Sequence, residues 1–202
     1  FDPHNRLFSA MAPEAVTAIV WDYRGLDTLF ETAVFFLAII GSVAIMRGIS
    51  SKLEVGRGLS LIVKTVTKIT LVMILAVAAS IALHGHLTPG GGFQGGAAAA
   101  VAPLLVLVIF SIYFLEARGV TKNTMLVLRS AGLIGIGLTT FLTLLIALPT
   151  LTNAYVFQNQ PKAYASVGLP YEIGGSLTGG SLLLFNIFEM FAVAAGFTLV
   201  FI

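Results

Sequence analysis

Residues 66–115 read VTKITLVMILAVAASIALHGHLTPGGGFQGGAAAAVAPLLVLVIFSIYFL. Two apolar runs, 66–83 and 96–115, flank the stretch His84-Gly85-His86-Leu87-Thr88-Pro89-Gly90-Gly91-Gly92-Phe93-Gln94-Gly95-Gly96. A helix needs about 20 apolar residues to cross a hydrocarbon core, so the pair reads as a helical hairpin in a membrane. A turn between two spans needs only a few polar residues. This one has five glycines in seven residues, a proline and two histidines. Irregular backbone at membrane depth is tolerated only where protein or a water-filled cavity covers it. The stretch therefore predicts a subunit packed among other proteins rather than a simple anchor.

The composition agrees. The 202 residues are 57% hydrophobic and 10% charged, with a mean hydropathy of +0.99. A soluble domain carries about 25% charged residues, so too little polar surface exists here to cover a globule in water. A net charge of +2 is too small to indicate a nucleic-acid partner. The absence of cysteine excludes disulfides, thiolate-held iron–sulfur clusters and cysteine zinc sites within the chain. The chain begins at Phe1 rather than Met, which leaves open residues ahead of it, and residues 1–24 lack the pattern of a signal peptide.

Outward from the hairpin, three more runs are long enough to span, at 26–46, 126–148 and 182–202. The expected fold is all-α, an integral membrane protein with five transmembrane helices. Arg47, Lys52, Arg57, Lys64 and Lys68 flank the first loop, and Arg118, Lys122 and Arg129 flank the third. The glycine hairpin has no Lys or Arg, the loop 149–181 has only Lys162, and the N-terminal segment has Arg6 and Arg24. The positive-inside rule then places the N terminus outside and the C terminus in the cytoplasm of a multi-pass plasma-membrane protein. Pro3 and Pro13 break the extracellular or interfacial segment 1–24. Its residues 14–21 are expected to form a short interfacial helix, with Trp21 and Tyr23 at headgroup level.

Charged groups within spans are functional candidates. Asp27 and Glu31 are four apart and share a helix face; Asn186 and Glu189 are three apart. At about 1.5 Å per residue, Glu31 and Glu189 lie roughly 8–11 Å into their helices. With His84 and His86 at the end of the second span, this group falls in the outer half of the membrane, and Lys64 and Lys68 fall on the inner side. The functional reading is an outer path for a cation or proton, in which carboxylates attract the cation and a histidine relays protons. Simpler readings stand beside it. Asp27 can cap its helix, Lys64 and Lys68 can snorkel to the interface, and the histidines can bond the hairpin backbone. Glu189 is hardest to explain away, because no basic residue follows it and its head cannot easily reach water.

Other chemistry finds no support. Gly90, Gly92 and Gly95 spell G-x-G-x-x-G, but a dinucleotide site needs a preceding strand, and here a membrane helix precedes it. There is no Ser-His-Asp pattern and no H-E-x-x-H, and two histidines one residue apart are a weak metal signal. A non-catalytic chain holding no cofactor is expected. Pro103 should bend the third span. The pairs Ala131/Gly135 and Ala192/Gly196 offer small faces for close packing.

The pattern H-G-H-x-x-P-G-G-G-F-x-G-G at 84–96 closely resembles the hallmark of the B subunit of Mrp (also called Mnh) multisubunit sodium/proton antiporters. The resemblance covers roughly 60–202, including the four-span pattern, the Gly168-Leu169-Pro170 loop and a last span beginning near Phe185. It makes Pro89, Gly90, Gly91, Gly92, Phe93, Gly95 and Gly96 the structural motif. Upstream, Asp22-Tyr23-Arg24-Gly25-Leu26-Asp27-Thr28-Leu29-Phe30-Glu31 resembles D-(F/Y)-R-G-x-D-T-x-x-E, found near the end of the large A subunit of the same antiporters. Residues 25–47 would then be an A-tail-like helix joined to a B-like domain at 60–202. This arrangement resembles the rearranged antiporter modules of archaeal membrane-bound hydrogenases, formate hydrogenlyases and related sulfur-reducing complexes.

The resemblance implies sodium/proton exchange by an assembly. Its members would be other Mrp-type subunits and hydrogenase-like and iron–sulfur subunits, in a lipid membrane. The B-type subunit and the A-type tail would serve the sodium pathway or join modules. Glu31 matches the glutamate of the A-tail motif. Asn186 and Glu189 depart from the B pattern, where an acidic residue is frequent at the first position and a small or apolar one at the second, so the charge is moved by three residues. Two alternatives stand: a purely structural bridging subunit, and a subunit of a standalone antiporter.

Overall fold

The protein is described by a computed structural model covering residue 4 and residues 9–47 and 59–202. Arg6, Lys52 and Arg57 lie outside the described residues. Four single helices are long and apolar enough to cross a membrane: α2 (Gly25–Met46), α3 (Leu61–Leu83), α4 (Gly92–Ile109) and α8 (Ser181–Phe201). A fifth span is a pair, α6 (Lys122–Thr140) and α7 (Leu142–Ala147), the latter running into a 3-10 turn to Thr150, with a 51° bend between its halves. The short helices α1 (Ala15–Ala18) and α5 (Ile112–Ala117) and a two-residue hairpin, β1 (Glu172–Ile173) with β2 (Ser176–Leu177), complete the chain. The all-α, five-span expectation holds.

The helix ends obey local chemistry. Ser60 caps α3 by accepting from the Val63 N–H, and Thr121 caps α6 by accepting from the Thr124 N–H. The bend between α6 and α7 also has a local cause. The Thr139 and Thr140 hydroxyls bond back to the Gly135 and Ile136 carbonyls, and the Thr140 carbonyl accepts from the Phe157 N–H instead of continuing the helix.

Two spans depart from the sequence expectation. The hairpin is shorter than its composition suggested, because α4 begins at Gly92. Gly90 (φ 155°) and Gly91 (φ 154°) turn the chain in backbone conformations that other residues rarely adopt. The next glycines are helical because tertiary packing outweighs their low propensity. A Cβ at Gly95 would lie 2.7 Å from the Ala82 Cβ of α3, and one at Gly96 would lie 2.7 Å from the Val193 Cβ of α8. The third span, expected through residue 115, breaks at Phe110 and Ser111 (φ 151°), after which α5 continues. The helix runs on through Pro103.

α8 is the centre of the bundle. Half of its span is buried, against 11% of α2 and 17% of α3. It packs on α4, α6 and α2. On α6 the packing residues are Gly132 and Gly135, which face Ala192 and Phe188, while Ala131 of the expected pair is exposed. Helical phase explains the correction, because 129, 132, 136, 139 and 143 form the buried stripe. Ala192 and Gly196 do pack, the latter against Phe35 and Ile39 of α2.

The N-terminal segment closes one end. α1 forms within the expected 14–21 stretch, capped by Glu14, and continues as a π-turn at Ile19–Tyr23. Trp21 is turned into the protein rather than toward a membrane surface. It is 1% exposed and stacks on Phe185 with centroids 4.3 Å apart, whereas Tyr23 is exposed. The Thr17 hydroxyl donates to the Gly85 carbonyl at 2.6 Å, and the Glu14 N–H to the His86 carbonyl at 3.2 Å, so this segment grips the glycine hairpin.

Candidate functional site

A pocket of about 180 Å³ opens between α1, α2, the glycine hairpin and α8. It brings together Glu31, Asn186 and Glu189 with Gly90, Gly91 and Phe93. Thus three of the candidates named from the sequence meet in space, from helices far apart in the chain.

Glu189 sits against the start of α4. The first N–H groups of a helix lack intrahelical partners and carry the positive end of its dipole. The N-cap, Gly91, has no side chain to offer. The Glu189 carboxylate approaches that end from α8, with the Phe93 N–H and the Trp21 indole N–H as its polar neighbours. Gly92 makes the approach possible: a Cβ there would lie 2.5 Å from the Asn186 carbonyl and 2.6 Å from a Glu189 carboxylate oxygen. Asn186 is 1% exposed, and neither its amide oxygen nor its amide nitrogen has a hydrogen-bond partner among the described residues. A buried amide facing a polar pocket without partners is costly, and it is what a site for water or an ion supplies. Glu31 lies on the exposed side of α2, at the rim.

The remaining candidates lie elsewhere. Asp27 pairs with Arg24 at 2.7 Å on the surface. The His84 Nδ1 lies 3.1 Å from the Ser80 carbonyl, on an exposed side chain. His86 is buried, with Nε2 2.8 Å from the Leu177 carbonyl, which makes Nε2 the donor, while Nδ1 has no partner among the described residues. It joins the glycine hairpin to the β-hairpin. Lys64 and Lys68 lie in the first turns of α3, at the opposite end from His84; Lys64 is half-buried and Lys68 exposed. Among the described residues, no group of three or more His, Cys, Asp or Glu is arranged to hold a metal.

Two features escaped the sequence reading. Arg129 does not flank a loop. It lies inside α6, 1% exposed, its guanidinium carbon 4.3 Å from the Phe36 ring centroid and its terminal nitrogens without hydrogen-bond partners among the described residues. The buried-stripe phase noted above would have found it. Gln158-Asn159-Gln160 is the second feature. The Asn159 amide donates to the Ala10 and Gly179 carbonyls, both at 3.0 Å, and its oxygen accepts from the Ser181 N–H at 3.0 Å. The Gln158 amide donates to the Ala165 and Val167 carbonyls and the Gln160 amide to that of Leu169. Three consecutive amide side chains in a loop between apolar spans were the available signal. Nearby, Lys162 pairs with Asp22 at 3.5 Å. Burial still holds the Asp22 carboxyl above the ordinary value of 3.8, with Lys162 opposing the shift.

Residues 62–199 match a family model described as a domain related to the MnhB subunit of Na+/H+ antiporters. The chain belongs to this family. The match takes in α3, α4, the bent pair and α8, and leaves α1 and α2 outside it. Among solved structures, this MnhB-related chain is similar to a subunit of the membrane-bound sulfane sulfur reductase, an archaeal respiratory membrane complex. The TM-score is 0.75 and the identity 28%, over 98% of this chain and 82% of that one. It is also 30% identical over 116 residues to an uncharacterized protein of Methanocaldococcus jannaschii, a match covering 48% of this chain and 44% of that protein. The chain spans less than half the length of that relative.

Proposed function

We propose that this MnhB-related chain is a membrane subunit of an Mrp-type cation/proton antiporter module within a redox-driven respiratory complex, and that Glu31, Asn186 and Glu189 form part of its cation path. The observation that carries the path is the pocket itself, with carboxylates from two helices around a buried amide that has no partner among the described residues. Glu31 at the rim passes a cation inward or to a neighbouring subunit, and the Asn186 oxygen and Glu189 accept it. The chain performs no catalysis of its own. Its partners are other Mrp-type subunits and, in the redox half, iron–sulfur and hydrogenase-like or sulfur-reducing subunits. In this reading α2 is the A-tail-like helix, and the pocket end faces outside.

A bridging role is the second reading, favoured by the approach of Glu189 to the start of α4. Glutamine at 189 keeps an oxygen for the Phe93 N–H but removes the charge, whereas alanine removes both. In assembled complexes, Glu31→Gln and Glu189→Gln should each lower sodium-dependent transport about tenfold, a loss of roughly 1.4 kcal/mol, with subunit content unchanged. Intact transport in both overturns the path. Loss of assembly in Glu189→Ala alone, with Glu189→Gln fully active, favours the bridge. Iron and nickel measured on the purified complex distinguish a redox-driven assembly from a standalone antiporter.

A further inference from the structure

Alanines on three helices leave a gap in the bundle. Ala78 and Ala79 of α3, Ala99 and Ala102 of α4, and Ala194 and Ala195 of α8 line a groove of about 500 Å³. Thr198 lines it too, but its hydroxyl is turned to the Ala194 carbonyl at 2.7 Å. The groove thus offers water almost nothing to bond, and an apolar cavity does not hold water. Leu75 and Phe191 on its wall are exposed, so it opens sideways from the bundle.

Its basic end is marked by one charge. Arg118 lines the groove there, its guanidinium carbon 5.3 Å from the Phe114 ring centroid. Among the described residues no carboxylate pairs with it. Glu116, exposed two residues away, makes no ion pair with it. The groove therefore combines a dry apolar trough with an unpaired cation at its mouth.

Charge decides between occupants, because the trough is apolar and the group at its mouth is a cation that no described carboxylate meets. A hydrocarbon tail is a single file of methylene groups and fits a trough walled by alanine. We propose that the groove between α3, α4 and α8 binds one tail of an anionic membrane lipid, whose phosphate rests on Arg118. The lipid would fill the wedge between α3 and α8 as a structural component of the subunit. This does not depend on the cation path.

The test uses the assembled complex in its membrane, supplied with a phosphatidylglycerol that carries a diazirine in one tail. After illumination, peptide mass spectrometry should find the label on Leu75, Ala99 and Met190 in excess of the label on Val72, which is 69% exposed on α3. Ala194→Phe fills the trough and should cut groove labelling about tenfold, because the ring takes the space of the tail and overpacking opposes holding both. Arg118→Gln should cut it about fivefold, the worth of one cation near a lipid phosphate. Val72 labelling should not change in either. Arg118 is exposed and its replacement leaves the fold intact, so that variant decides the matter if Ala194→Phe fails to assemble. Groove labelling no higher than that of Val72, or unchanged by Arg118→Gln, overturns the proposal. So does a partner protein segment found in the groove.

Discussion

Gly92 holds the candidate site at its present dimensions. Its Cα faces the Asn186 carbonyl and the Glu189 carboxylate with no room for a methyl group, so Gly92→Ala must push α4 away from α8. Overpacking of this kind costs about 1–3 kcal/mol. Here it also pulls the Phe93 N–H away from the Glu189 carboxylate. The expected outcome is a lower thermal midpoint of the purified complex with reduced sodium transport. By contrast Gly137, where a Cβ would meet open space, should accept alanine with little change. At this scale the sequence was informative about identity and less so about placement. Glu31, Asn186 and Glu189 stood out as polar groups in apolar runs, and they do meet. Asp27 stood out equally and is a surface partner of Arg24, because the side on which a residue leaves its helix depends on neighbours that the sequence does not name. Arg129 was misplaced because a charge near a helix end reads as a flank until its phase is compared with the glycines one and two turns on.

Elements were legible in proportion to their regularity. Five apolar runs gave five spans, since length and hydropathy are properties of each run alone. Their breaks were not legible. The Ser111 interruption and the bend after Thr140 come from backbone geometry and from the Phe157 N–H, a partner 17 residues away in sequence (157 − 140 = 17). The least regular segment, 149–181, holds the most specific polar network. Asn159 satisfies two carbonyls and the N–H that opens α8, all buried. Asn159→Leu leaves these groups unpaired, at roughly 1–3 kcal/mol apiece. Limited proteolysis of the complex should then cut within 149–181 at protease levels that leave the parent intact, while Tyr164→Ala, at an exposed tip, should not sensitise it.

Across the whole molecule, polar chemistry separates into two ends. Arg47 and Lys122 line a common cavity with the last turn of α8, whereas Glu31, Asn186 and Glu189 share theirs with the glycine hairpin. We propose, from the positive-inside rule, that the first end faces the cytoplasm. The chain has no cysteine, so single cysteines report cleanly. Tyr164→Cys should react with a membrane-impermeant maleimide from outside intact cells, and Glu116→Cys only after the membrane is opened; the reverse pattern would invert the topology.

The position of α8 bears on how such a chain is made. It is the last of the described helices to leave the ribosome, yet the two largest packing surfaces in the bundle, those of α4 and α6, are formed against it. Until residue 181 emerges, α4 and α6 sit in the bilayer with Gly96, Gly132 and Gly135 uncovered, and the N-terminal segment has no Phe185 for Trp21 to stack on. Membrane insertion and folding are therefore separated in time, and the earlier spans depend on lipid, chaperones or neighbouring subunits while they wait.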